Sequence, residues 1–357
     1  MILDIVKVIL PSTLSFLIGV GFAPYLTDFL YKKQLWKKKV KEVAIDGHGT
    51  PIFNQMHKEK EVGTPRLGGI LIWTSVLIIG GLIWFIARFF DIEALDKLEF
   101  ISRNQTWIPF ATLLVGAIIG LIDDILEIRG SGKYIGGGLS LSVRLGTMAI
   151  VGILIGSWFF FKLDVVSIGI PIIGNWNIGW LIIPLYTIII LAVYSGGVID
   201  GIDGLAGGVF SIMFTAYGAI AFSLHQFDLA AFAMLVVGSI LAFLWFNIPP
   251  ARFYMSETGS MALTSTLAVL AFMTDSLVGG VGIAVLPIIA FPLVITVLSV
   301  IIQLFSKKFR NGKKVFQVAP LHHHFEAIGW PAYKVTMRYW VISVIFAVLG
   351  VIVALVG

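Results

Sequence analysis

Ten stretches of this chain are apolar for long enough to cross a bilayer, and that property restricts the fold more than any other. They run roughly over residues 5–30, 67–90, 106–122, 139–160, 180–199, 204–223, 229–247, 259–274, 281–306 and 335–356. Hydrocarbon offers no partner to a backbone N–H or C=O, so each span of about 20 residues must satisfy its own backbone as an α-helix. The expected fold is all-α: a polytopic membrane protein of about ten transmembrane helices, one domain over residues 1–357. Composition agrees, with 58% hydrophobic and 13% charged residues, against about 45–50% and 25% in a water-soluble domain. Cysteine is absent, which excludes disulfides and thiolate metal sites. Asp4 stands where a cleavable leader carries basic charge, so the first stretch reads as a retained span. Pro287 and Pro292 predict a bend or break in the ninth span.

The basic residues are unevenly placed. Of 25 Lys and Arg, 20 fall in segments 31–66, 123–144, 248–258 and 307–338, which ten crossings put on one side. An excess of Lys and Arg marks the cytoplasmic side, so both termini are expected to be extracytoplasmic. On the opposite side, segment 161–178 carries Gly and Pro punctuation with β-branched runs and reads as one small extracytoplasmic β-hairpin. Trp180 and Trp340, near span ends, read as interface-belt residues.

The unusual polar residues share the basic side. Asp123-Asp124 closes the third span, Asp200 and Asp203 lie in VIDGIDGLAGG, Asn247 ends the seventh span, Glu257 precedes the eighth, and His322-His323-His324 lies in the last loop. Each alone has an ordinary reading. The acid pair could be a solvated helix end, the Gly-rich run a tight turn, Glu257 a first-turn charge and the histidines a solvated loop. Together they suggest one site, because carboxylates at membrane depth are costly. Clustered carboxylates suit Mg²⁺, and phosphoryl transfer is mostly positioning plus neutralisation of charge. Gly201, Gly204, Gly207 and Gly208 allow close backbone approach at a helix start, which suits a nucleotide phosphate. These residues point to a membrane-embedded, Mg²⁺-dependent transferase acting on phosphate esters.

The motifs GTPRLGG (63–69), GLIDD (120–124), IDGIDGLA (199–206), ETGSMAL (257–263) and APLHHHFEAIGWPAYKVTMRYWVIS (319–343) resemble those of the bacterial phospho-N-acetylmuramoyl-pentapeptide transferases, in the same order. The resemblance implies transfer of phospho-MurNAc-pentapeptide from UDP-MurNAc-pentapeptide to undecaprenyl phosphate, with Mg²⁺, giving lipid I and UMP. It also implies a multi-pass protein of the bacterial inner membrane with a cytoplasmic active site, contacts with membrane lipid, a homodimer formed through span surfaces, and no nucleic-acid partner. Carried over by position, the catalytic set is Asp123, Asp124, Asp203, His323 and His324. Asp123 would act as base towards the lipid phosphate or as nucleophile. Substrate binding would involve Asp200, Gly201, Ile202, Asn247, Tyr254, Lys60, Lys133 and His322, with Glu257 and Asp124 as metal ligands.

Five positions depart from the resemblance. Glu257 replaces an aspartate, Gly197 an asparagine, Glu127 and Glu61 each a lysine, and Arg66 a threonine. Lys133 and Arg66 are the candidates to replace the lost cations. The extra methylene of Glu257 displaces a carboxylate by about 1 Å, which can cost about 10²-fold in rate; on that ground Glu257→Asp is expected to preserve or raise activity. Three alternatives stay open: a sister transferase making polyprenyl-diphosphate GlcNAc, a catalytically impaired member, and a transporter or channel.

Overall fold

The computed structural model describes residues 2–37, 62–90, 97–131 and 137–357. Among them ten helices are long and apolar enough to span a membrane, as expected. They begin with α1 (Ile2–Lys32), α2 (Gly69–Phe89), α3 (Trp107–Arg129), α4 (Leu141–Lys162) and α5 (Ile182–Ser195). Next come α6 (Leu205–Ser223), α7 (Phe227–Asn247) and α8 (Ser256–Met273). The last part of the chain holds α9 (Gly282–Ile289), α10 (Phe291–Phe309), the short α11 (Leu321–Ala327) and α12 (Ala332–Val356).

The apolar stretches of α6, α7 and α8 are 78%, 78% and 83% buried, and those of α1 and α12 only 22% each. A helix that is apolar on every face belongs at the centre of such a bundle, and these three form it. Helix α3 packs along α8, α1 along α7, α4 along α5 and α12 along α6. Rings fill the wider gaps: Phe159, Tyr186 and Phe272 meet with centroids 4.6–5.7 Å apart. The ninth span is broken at Ala290, between α9 and α10. Pro292 lies in the first turn of α10, where its missing N–H leaves no helical bond unmade.

The hairpin expected in 161–178 is present. Strand β1 (Ser167–Ile170) pairs antiparallel with β2 (Gly174–Asn177), with Ile168 opposite Trp176. Asp275 ties it to the bundle by accepting from Gly169 N (2.7 Å), Ser276 N (2.8 Å) and Ile283 N (2.8 Å). Lys7 of α1 is paired with Asp228 of α7 at 2.5 Å, which neutralises a lysine inside a span.

Trp180 is surface-exposed, as a belt residue should be. Trp340 is half-buried and has an internal role. Its indole Nε1 donates to Gly204 O at 3.2 Å, bracing the turn before α6. Its position near a span end concealed this contact with a residue 136 positions away.

The absence of cysteine allows sidedness to be measured directly. Ile173→Cys, in the hairpin, should react with an impermeant maleimide added to intact spheroplasts. Lys313→Cys, after α10, should react only once the membrane is opened. Both residues are exposed, so equal labelling of both in intact spheroplasts would contradict the charge-based topology.

Candidate active site

The site starts from the amino end of α8. Three backbone N–H groups there have no partner within the helix, and the residue before the helix, Met255, supplies no side-chain cap. Carboxylates from other elements take them instead. Asp124 Oδ2 accepts from Thr258 N (2.8 Å) and Thr258 Oγ1 (2.6 Å), and Oδ1 from Glu257 N (3.2 Å). Asp200 Oδ2 accepts from Ser256 N at 2.9 Å. Both acids thus cap a helix to which they do not belong, and the positive end of its dipole stabilises their charge. Helix α3 can come this close because residue 120 is glycine: a Cβ there would run into the Glu257 carbonyl.

Asp123 and Asp124 are fully buried, in the last two turns of α3 rather than at a solvated end. Burying carboxylates demands partners. Asp123 Oδ1 accepts from Leu139 N at 2.6 Å, and Oδ2 lies 2.8 Å from Arg144 Nη2. Arg144 reaches on with Nη1 to Glu257 Oε1 at 2.7 Å. One guanidinium from the first turn of α4 therefore bridges acids of α3 and α8. One turn beyond Asp124, Glu127 is paired with Lys37 at 2.8 Å and with Arg66, whose Nη1 lies 3.6 Å from Asp124 Oδ1. The charge reversal at Glu127 is thus matched by Arg66, itself a departure from the resembled pattern.

The loop 200–204 forms the next wall. Asn247 holds it, accepting from Gly204 N and donating to Phe253 O, both at 2.9 Å, so its amide is engaged at both ends within the protein. Asp203 Oδ2 accepts from Ala251 N at 3.3 Å, and Ile202 is buried. Burial pushes the Asp200 carboxyl up to about 6, against the Ser256 N–H and Arg66, which favour its charge. Gly201 faces the histidines: a Cβ there would lie 2.5 Å from His322 Nε2 and 2.7 Å from His323 Nε2. His324 turns elsewhere, with Nδ1 accepting from Gln317 N at 3.3 Å. Tyr254 joins the wall through its backbone, with N donating to Pro65 O and O accepting from Gly68 N.

Asp123, Asp124, Asp200, Asp203, Glu257, His322 and His323 thus meet at one end of the bundle, with Gly201, Ile202, Asn247 and Tyr254 around them. Lys60, Lys133 and Glu61 lie outside the described residues. Three participants read from sequence only as topology charges or parts of a motif are Arg144, Lys37 and Glu326, while Arg66 takes the cation role expected of it. A lone basic residue near a helix end signals little else, and each partner except that of Glu326 is remote in sequence.

Among the described residues, no three His, Asp or Glu side chains gather into a ready metal-binding shell. The donor set nonetheless suits Mg²⁺, which takes few carboxylates and keeps positions for water and phosphate. Asp123 Oδ2 is buried against Arg144 Nη2, and Asp123 and Glu257 together bring two carboxylates to that one guanidinium. Both oxygen type and charge fit a divalent ion there.

A family model described as glycosyl transferase family 4 matches residues 106–275, the stretch holding Asp123, Asp124, Asp200, Asp203 and Glu257. The chain is 30% identical over 352 residues to the phospho-N-acetylmuramoyl-pentapeptide-transferase of Geobacillus thermodenitrificans, covering 96% of this chain and 97% of that one. It is 30% identical over 344 residues to the protein of that name from Bacillus subtilis, covering 95% of each. It is 31% identical over 351 residues to that of Anoxybacillus flavithermus, covering 97% of each.

Glu127→Gln removes the carboxylate charge that Lys37 and Arg66 share, and breaking a buried pair costs about 3–5 kcal/mol. Its thermal unfolding temperature should fall sharply, and adding Arg66→Gln should recover part of the loss. Strict additivity of the two would contradict the pairing. Asp200→Asn keeps an acceptor for Ser256 N–H. A carboxyl raised from 3.8 to about 6 favours folding at low pH, an advantage lost as pH rises through that value. The variant should therefore be more heat-stable than the parent at pH 8, with the difference shrinking as pH falls through about 6. A difference constant with pH would contradict the burial argument.

Proposed function

The chain belongs to the phospho-N-acetylmuramoyl-pentapeptide transferase family, and on that premise we propose that it transfers phospho-MurNAc-pentapeptide from UDP-MurNAc-pentapeptide to undecaprenyl phosphate, releasing UMP. The observation that carries the reading is the joining of Asp123 and Glu257 by Arg144 beside the carboxylate-capped end of α8. This arrangement concentrates compensated charge where a diphosphate and a lipid phosphate would have to meet.

An oxygen of the lipid phosphate attacks the sugar-side phosphorus of the UDP-sugar. The new P–O bond forms as the P–O bond to UMP breaks, and UMP leaves with the electron pair. Asp123 serves this step as the base that accepts the lipid phosphate's proton, or as a nucleophile that first takes the phosphoryl group itself. Glu257 and Asp124 would hold Mg²⁺, which when bound supplies positive charge for the diphosphate. Asp124 keeps α8 in register through Thr258. Arg144 holds Asp123 and Glu257 at a fixed separation and offers guanidinium donors to phosphate oxygens. Arg66 adds positive charge beside Asp124. His323 and His322 face the loop of Asp200 and Asp203, which would receive the nucleotide, with Tyr254 at its edge. Lys60 and Lys133 would bind the anionic substrate. The protein works in the bacterial inner membrane, with this end of the bundle towards the cytoplasm.

Product analysis with undecaprenyl phosphate tests the reading. UDP-MurNAc-pentapeptide should yield lipid I and UMP, and UDP-GlcNAc neither; lipid-linked GlcNAc as the sole product would assign the sister activity. The Arg144 bridge also reverses the expectation for Glu257. Its extra methylene is used to reach Arg144 at 2.7 Å, so Glu257→Asp should lower kcat, by about 10²-fold for a 1 Å displacement. Undiminished turnover in that variant would show that the bridge is dispensable.

A further inference from the structure

Glu326 is a carboxylate that neither the charge pattern nor the proposed phosphate chemistry uses. It lies on α11, one turn after His323, and its Oε2 is 2.8 Å from His323 Nδ1. Both side chains are largely buried, 10% and 6% exposed, so water competes weakly for the contact. The helix that carries them is anchored. Leu321 N donates to Ser299 Oγ of α10 at 2.9 Å, and Gly329 N to Glu326 O at 2.9 Å.

With Nδ1 against a carboxylate, Nε2 is the ring nitrogen turned away from Glu326. Nε2 points at Gly201, where even a methyl carbon would come within 2.7 Å of it. Asp200 and Asp203 flank that glycine on the loop. His322, with its ring centroid 4.3 Å from that of His323, lies alongside on α11, and Tyr339 of α12 faces His322 at 6.4 Å. A carboxylate on Nδ1 selects the Nδ1–H tautomer and stabilises the doubly protonated ring. His323 can then give or take a proton only through Nε2, on the side of the Asp200–Asp203 loop.

We propose that Glu326 is a positioning residue: it fixes His323 as the Nδ1–H tautomer, so that Nε2 exchanges a proton with, or donates to, a phosphate entering beside Gly201. The phosphate part of this rests on the transferase reading; the tautomer part does not. The proton on Nδ1 stays with the His323–Glu326 pair throughout, and only the proton on Nε2 moves between ring and phosphate oxygen.

The test uses the full chain in detergent micelles, labelled with ¹⁵N-histidine. The His323 signals are identified by their loss in His323→Gln. At alkaline pH the parent should show Nδ1 protonated and Nε2 bare. Glu326→Ala should change this to the Nε2–H form common in unrestrained imidazoles. Glu326→Gln, which keeps size and an acceptor, should retain the parent tautomer but let the ring lose its charge at lower pH. Identical spectra and titrations in parent, Ala and Gln proteins would overturn the proposal. In the second arm, UMP release from UDP-MurNAc-pentapeptide should fall about 10²-fold in kcat for Glu326→Ala, with KM little changed. The limb of the pH–rate profile that reports His323 should move to lower pH in Glu326→Gln. A profile that superimposes on the parent's would overturn the catalytic part. A parent without UMP release would instead remove the transferase reading and leave the spectroscopic result to decide the tautomer.

Discussion

The capping of α8 by Asp124 is the joint on which the rest of the site depends. Thr258 N–H and O–H reach one carboxylate oxygen at 2.8 and 2.6 Å, and Glu257 N–H reaches the other. A helix end inside a membrane protein cannot leave its amides bare, and here the acid that satisfies them comes from a helix 134 residues away. This fixes α3 against α8 at the depth where Asp123 and Glu257 must face each other. It also explains how a fully buried carboxylate is tolerated, since it is hydrogen-bonded by the positive end of a helix.

Charge compensation builds outward from that joint. Arg144 closes the gap between Asp123 and Glu257, and Arg66 and Lys37 balance Glu127 next to Asp124. Two departures from the resembled pattern, Arg66 and Glu127, turn out to touch. A lysine replaced by glutamate in isolation would weaken an anion site. The arginine beside it offsets half of that change in charge and is paired directly with Glu127. The same logic applies to Glu257, whose extra length is taken up by the guanidinium it reaches.

Much of the architecture was legible in the sequence because bilayer thickness imposes a length on every span. The ten helices, the hairpin around Gly174 and the break near Pro292 follow from apolar length, turn residues and proline chemistry. The convergence of Asp123, Asp200, Glu257 and His323 was legible from parity, since alternate span ends share a side. Pairing between distant elements was not legible. Arg144 is separated from Glu257 by 113 residues and looked like one more topology charge. Trp340 read only as a belt residue, and its bond to Gly204 O left no trace in the sequence. The bonds by which the Asn247 amide joins Gly204 to Phe253 were equally hidden. Hydrophobic periodicity says which face is buried but carries no record of which polar group on another helix completes it.

The proposed role of this convergence of acids and cations is divalent-cation-dependent phosphoglycosyl transfer. The most direct measurement is UMP release from UDP-MurNAc-pentapeptide by the purified protein with undecaprenyl phosphate, with and without Mg²⁺, beside Asp123→Asn. The account predicts release that requires Mg²⁺ and falls by at least about 10²-fold in the variant. Release that is indifferent to Mg²⁺ and undiminished in Asp123→Asn would contradict it.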